Sequence, residues 1–473
     1  MQILRGSRRR HMGAILLVVA LAVASALIGA SASSAGGPAS GPQTHPITVQ
    51  PDFSTPQRLV PGAVHFGCQD RPIDGSKGPR CYIPSQIQTA YGYSGLLASG
   101  VTGFGRTIVI IDAYSNPYVK KDLKIQDQTF GLPDPPSFTE VAPQGVPKFD
   151  ANDPNQVGWA EEITLDVLWA HAMAPGARII LDEAKSNQDL DILNATQYAI
   201  DNNIGDVISQ SFGEAESCVD PSILSQENAL FAKATANGMT LFASSGDSGA
   251  SQFSCDGSSA ILAASSPASD PNVTGVGGTT LNASSPDGAY IGETAWTEQL
   301  FGCNPPAVDP SDINCSGGGF STIYARPSWQ VGNPNAGRGV PDVAYDAGVN
   351  GGVITHCGIC NVLFGLKPSD PVFFIFGGTS AGSPQWAGLA ADADQMASGS
   401  PSVRIGNINA ALYQYSTHQA KYGNVFHDIL SGNNDVAELG GQGYNAGNGW
   451  DAVTGLGTPD ASRLLPNLAK LGS

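Results

Sequence analysis

From Arg106 to Ser244 the chain alternates short, almost wholly apolar runs with longer stretches of helical periodicity. RTIVIIDA (Arg106 to Ala113), RIILDEA (Arg178 to Ala184), Asp206 to Ser211 and Met239 to Ser244 read as buried strands. Between them, helical spacing covers about Trp159 to Ala174, stopped by Pro175-Gly176, then Leu190 to Asp201 and Pro221 to Asn237. Strands that are apolar on both faces need cover on both faces, and alternating helices supply it. The pattern therefore predicts an α/β fold, a doubly wound, mostly parallel sheet with helices on both faces and right-handed crossovers. Sites in such sheets gather beyond the carboxyl ends of strands, so the loops after Ser211 and Ser244 become candidates. The stretch from Ala113 to about Asn155 reads as a long loop, and the Gly- and Asn-rich region 295–370 as surface loops and hairpins.

The N-terminus indicates export. Arg5 and Arg8 to Arg10 precede an apolar run, Ala14 to Ala30, and Ala30-Ser31-Ala32 offers small residues for cleavage. Residues 1–32 are read as a signal peptide, and no membrane association is expected after its removal. Residues 33–80, rich in Pro, Gly and Ser, read as a tail or short covering segment, and 81–473 as the main domain. In an exported protein the eight cysteines read as disulfides. They fall as neighbours, Cys68/Cys81, Cys218/Cys255, Cys303/Cys315 and Cys357/Cys360, although other connectivities are open. The formal net charge of −18 argues against a nucleic-acid or anionic-membrane partner.

Chemistry is suggested by FGGTSAGSPQWAG, Phe376 to Gly388, which places Ser380 after an apolar run at a helix start. Pro384 is tolerated in the first turn. A serine at such a place can be a mere helix cap; as a nucleophile it needs a base within hydrogen-bond reach. None of the seven histidines supplies one convincingly. His11 lies in the signal, His45 and His65 in the tail, and His356 in a cysteine loop. His418 and His427 follow the Ser380 helix. His171 ends a helix, where packing and the helix dipole account for it. The same helix carries Glu162 and Asp166, four residues apart on one face. They could be a solvated acidic face, or a partly buried pair that shares a proton and titrates as a unit. In the second reading Glu162 takes the proton of Ser380 and Asp166 holds Glu162 in place. Glu161 is adjacent but has no acidic partner four residues on. Gly246-Asp247-Ser248-Gly249 matches a serine-protease string, but it follows a strand of an α/β sheet, and its Asp is the more interesting residue.

These residues resemble the sedolisin family, the serine-carboxyl peptidases with a subtilisin-like fold. EITLDVLWAHAMAPGARI looks like that family's Glu-x-x-x-Asp helix, FGGTSAGSPQWAG like its nucleophile motif, and SSGDSGA like its oxyanion-Asp loop. VISQSFGE, Val207 to Glu214, resembles its substrate-lining strand. The resemblance implies Ser380 as nucleophile, Glu162 as general base, Asp166 as its partner and Asp247 as oxyanion stabiliser, acting on protein or peptide substrates. Acid suits this set. At about pH 4 a histidine is only about 0.3% neutral, whereas a carboxylate is still partly ionised. Asp247 must by contrast be protonated to donate to an oxyanion. The resemblance also implies one structural Ca2+ held by the carboxylates of Asp428 and Asp451 and the carbonyls of Ile429, Gly447 and Gly449.

The expected protein is a secreted, monomeric acid endopeptidase, with a tripeptidyl-peptidase as the alternative inside the family. Two other readings are a subtilisin-type Asp112/His171/Ser380 protease and a non-catalytic secreted binding protein. Family members usually carry a long folded prosegment. The roughly 50 residues between signal and catalytic pattern are too few for that domain.

Overall fold

A computed structural model describes residues 44–49, 51, 53–71, 80–285, 287–298, 314–397, 403–416 and 425–472. Residues 1–32, read above as a signal peptide, and His418 and Cys303 lie outside the described residues. The central sheet is built from β1 (Thr107–Ala113), β2 (Phe138–Val141), β3 (Arg178–Ala184), β4 (Val207–Gln210) and β5 (Thr240–Ser244), continued by β6 (Thr274–Ala283), β7 (Tyr290–Ala295) and β8 (Val343–Asp346). Its order is β7-β6-β5-β4-β1-β3-β2, with β8 also paired to β6. All pairs are parallel except β6 with β7. The expected doubly wound sheet is thus present, and the order reverses at β1, between β3 on one side and β4 on the other.

Side chains of β1 alternate between the two faces. Ile108 and Ile110 join one core with α1 (Pro154–Met173) and α4 (Thr379–Ala397). Val109 and Ile111 join the other, with α2 (Asp189–Asp201) and α3 (Pro221–Ala236). A second, four-stranded sheet contains β9 (Gly352–His356) and β10 (Val372–Phe376), which leads directly into α4.

Several boundaries differ from the sequence reading. Helix α1 begins at Pro154, five residues earlier, because the Asp153 carboxylate accepts from Asn155 N and Pro154 suits the first turn. The stretch before it is not a bare loop, since it contains the helix Val119–Phe130 and β2. The region 295–370 supplies β8 and β9 besides the hairpin Gly319–Ala325/Gly337–Val340. Its Gly-rich composition hid strands that are held by partners distant in sequence. Three disulfides join Cys68–Cys81, Cys218–Cys255 and Cys357–Cys360.

For residues 33–80 the structure decides between the two readings left open. The described part of this stretch is the covering segment rather than a tail, and His45–Arg58 packs on the body. Ile47 and Val49 are buried, and Gln57–Arg58 pairs antiparallel with β10.

Candidate active site

Helices α1 and α4 pack side by side beneath the sheet. Gly388 of α4 lets them approach, because a Cβ there would lie 2.7 Å from the Met173 Cβ. Helix α1 is buried on every side from Gly158 to Met173. Its acids therefore do not form the solvated face that their spacing alone allowed. Glu161, Glu162 and Asp166 are 6%, 1% and 0% exposed.

Ser380 stands at the second position of α4, 8% exposed. Its hydroxyl donates to the Ser211 carbonyl at 3.3 Å, at the carboxyl end of β4. Ser380 also lies close enough to Glu162 to draw that carboxyl's pKa downward by hydrogen bonding. Burial is the stronger influence on Glu162 and, with the neighbouring Asp166 and Asp112, pushes it well above the usual carboxylate range. Burial likewise raises Asp166 to about 8, against the opposing pull of Ser211 and Glu162. Glu162 Oε1 and both Asp166 oxygens make no hydrogen bond of ordinary geometry among the described residues. Contacts of this kind commonly tighten only when substrate is bound. Two buried carboxyls at this spacing favour one shared proton. The two therefore titrate as one unit, with Glu162 the member that faces Ser380.

Asp247 follows β5 and reaches the start of α4. Its Oδ1 accepts from Thr379 N at 2.8 Å and from the Thr379 hydroxyl at 2.7 Å. Its Oδ2 faces Gly378, whose φ is +90° and where a Cβ would come within 2.6 Å of that oxygen. Only glycine meets both demands. Burial raises the Asp247 pKa, which favours the protonated form that donates a hydrogen bond.

One cleft of about 630 Å3 is lined by Ser380, Glu162 and Asp247, together with Ser211 to Ala215. Asp166 lies behind Glu162 and does not line it. His171 is elsewhere, with Nε2 2.9 Å from the Pro133 carbonyl and 3.2 Å from Asp127 Oδ1. His356 is locked between Asp122 and the Asp370 carbonyl. His45, assigned to the tail from sequence, does line the cleft. No sequence signal placed it there, since its position depends on long-range backbone pairing. Asp112 is fully buried at the end of β1, near Asp166, and its carboxylate has no hydrogen-bond partner among the described residues. It makes no hydrogen bond with His171, whose Nε2 faces the Pro133 carbonyl and Asp127. The Asp112/His171/Ser380 reading is not assembled.

At the C-terminus, Gly449 N donates to both oxygens of Asp428, at 3.2 and 3.1 Å, and Gly447 N to Asp451 Oδ2 at 2.9 Å. The two carboxylates thus address one short glycine turn. Ile429, beside Asp428, is buried. The described residues hold no cluster of three or more His, Cys, Asp or Glu side chains suited to a metal. Any ion here relies on carboxylates plus carbonyls. No helix among the described residues is long and apolar enough to cross a membrane.

Residues 151–424, more than half of the chain, match the subtilase family. Kumamolisin of Bacillus sp. (strain MN-32) is 34% identical over 404 residues, covering 83% of this chain and 64% of its own length. Sedolisin of Pseudomonas sp. (strain 101) is 35% identical over 283 residues, covering 58% of this chain and 42% of its own. The chain thus spans less than two thirds of either relative. The structure of Pseudomonas sedolisin, a serine-carboxyl proteinase complexed with two molecules of pseudo-iodotyrostatin, superposes with a TM-score of 0.67 at 29% identity. That superposition covers 82% of this chain and 97% of that one. The chain belongs to the subtilase family, within its sedolisin branch.

Proposed function

We propose that this protein is a secreted, acid-acting serine-carboxyl endopeptidase that hydrolyses protein or peptide substrates through Ser380, Glu162, Asp166 and Asp247. The observation that carries this reading is a single cleft onto which a helix-start serine, a buried carboxyl and a second, independently buried carboxyl all open. Ser380 Oγ attacks the scissile carbonyl carbon and Glu162 receives its proton, while Asp166 keeps Glu162 in place. The carbonyl oxygen gains negative charge and accepts a hydrogen bond from protonated Asp247. The tetrahedral intermediate collapses, Glu162 returns the proton to the leaving amine, and an acyl-enzyme remains. Water then repeats the sequence and frees Ser380.

One Ca2+ is assigned a structural role at Asp428, Ile429, Gly447, Gly449 and Asp451. The donor set is oxygen only, as a hard cation requires. Two carboxylates directed at one glycine turn support the fit. The ion would supply positive charge that ties the C-terminal turn to the domain, with no part in the reaction. The working unit is proposed to be a monomer.

The decisive experiment compares wild type and Glu162→Gln on a protein substrate from pH 2 to 8. Hydrolysis confined to acid in wild type and lost in the variant supports the carboxyl base. Full activity in Glu162→Gln would exclude it, and an inert wild type would favour the binding-protein reading. Release of N-terminal tripeptides alone would identify the tripeptidyl-peptidase alternative.

A further inference from the structure

The stretch between the signal and the catalytic pattern touches both halves of the candidate active site. Near α2, Pro46 forms an antiparallel bridge with Gln188. Ile47 N donates to the Asn187 carbonyl at 2.7 Å, and Asn187 Nδ2 to the Ile47 carbonyl at 2.9 Å. Ile47 and Val49 enter the same apolar core as Trp159 and Phe212. The Val49 carbonyl then crosses α1 at Gly158, where a Cβ would lie 2.5 Å from it. Gly158 is one turn before Glu162 on the same helix. Farther along, Phe53 stacks on Phe376 with ring centroids 5.3 Å apart, and Ser54 N donates to the Ile375 carbonyl at 2.9 Å. Phe376 is four residues before Ser380. Gln57–Arg58 adds an edge strand to β10, and the Cys68–Cys81 disulfide fastens the end of the stretch to the body.

We infer that His45–Val49 and Phe53–Arg58 are a retained part of the working enzyme, His45–Val49 forming one wall of the substrate cleft and the two segments together fixing the base helix relative to the nucleophile strand. This rests on the peptidase reading above. Two observations separate a retained wall from a leader that must be discarded. With the stretch in place, the cleft stays open at about 630 Å3, and Ser380, Glu162 and Asp247 all still line it. In addition, the Cys68–Cys81 disulfide means that only a cut before Cys68 could free the stretch. A removable inhibitor would fill the space over the nucleophile. The substrate is accordingly an extended peptide that lies beside Pro46–Val49, with its backbone along Ser211–Gly213.

The test uses the full-length secreted protein. Intact mass and N-terminal sequencing of the acid-active species, without reduction, should find His45–Arg58 present. An active species that lacks them overturns the inference. Ile47→Ala and Val49→Ala should raise KM about threefold to tenfold with kcat nearly unchanged, and Ile47→Val should restore KM. Phe53→Ala, which loosens the strand leading to Ser380, should lower kcat about tenfold. Unchanged kinetics in all of these variants, or faster hydrolysis as expected on loosening an inhibitor, would refute the wall. If wild type hydrolyses nothing, the peptidase reading fails instead. The wall is then judged by fluorescence anisotropy of a labelled decapeptide on wild type and Ile47→Ala: weaker binding by the variant supports it, and equal binding overturns it.

Discussion

On the proposed mechanism, replacing Asp247 by Asn isolates the proton on which oxyanion stabilisation depends. Asp247 Oδ1 already accepts two hydrogen bonds from Thr379, at 2.8 and 2.7 Å, and an amide oxygen can accept the same two. The amide NH2 then stands where Oδ2 faces Gly378, and it donates at every pH. In wild type, the donor exists only while Asp247 is protonated. Loss of one oxyanion donor costs about 2.7–4 kcal/mol, or about 10²- to 10³-fold in kcat, so ionisation of Asp247 sets the alkaline limb. Burial raises the Asp247 pKa, which places that limb above the ordinary carboxylate range. Initial rates on an internally quenched peptide from pH 2 to 8 should show a bell for wild type. Asp247→Asn should keep the acid limb set by Glu162, stay within about 100-fold of wild type, and lose the alkaline limb. Asp247→Ala should fall by about 10²- to 10³-fold at every pH. It should also be less stable by about 1–3 kcal/mol, because the Thr379 N–H and hydroxyl lose their acceptor. An Asn variant with an unmoved alkaline limb, or one as inactive as the Ala variant throughout, would refute the oxyanion role.

Buried acids outside the catalytic set make stability depend on pH as well. Folded-state pKa values of the buried Glu161 (about 8), Asp182 (about 8) and Asp394 (about 7) exceed those of free carboxyls. The folded chain then binds protons that the unfolded chain releases. Their contribution is complete below about pH 4 and is lost as pH rises toward about 8, at about 1.4 kcal/mol per pKa unit for each group. Tm by calorimetry should therefore fall between pH 4 and 8, and a rising Tm would contradict this burial. His171→Ala should lower Tm through loss of the Asp127 and Pro133 contacts, yet leave kcat per folded molecule unchanged; a collapse of kcat would revive a histidine base. Chelation should lower Tm by an amount that excess Ca2+ restores, corresponding to about 2.7 kcal/mol at 100 times Kd. The shift should vanish in Asp451→Asn, and a chelation effect persisting in that variant would remove the ion from this turn.

Much of the fold was legible because it rests on local pattern. Apolar runs such as RTIVIIDA become central strands wherever helices flank them, and β1, β3, β4 and β5 fall within a residue or two of expectation. Strands β8 and β9 were not legible, since their pairing partners, among them Val276 for β8 and Phe376 for β9, lie far away in sequence. Glu162 and Asp166 could be named from a four-residue spacing, and Ser380 from small residues at a helix start. Spacing could not say whether those acids meet water. Burial of α1 on every side decided that, and with it the direction of their pKa shifts. Nor could a stretch without periodicity reveal that His45–Arg58 lies against Gly158 and Phe376. Sequence determined which groups are available, because helix and strand periods are local. Tertiary structure decided which of them share a desolvated cleft, because burial and long-range backbone pairing depend on contacts that no local window contains.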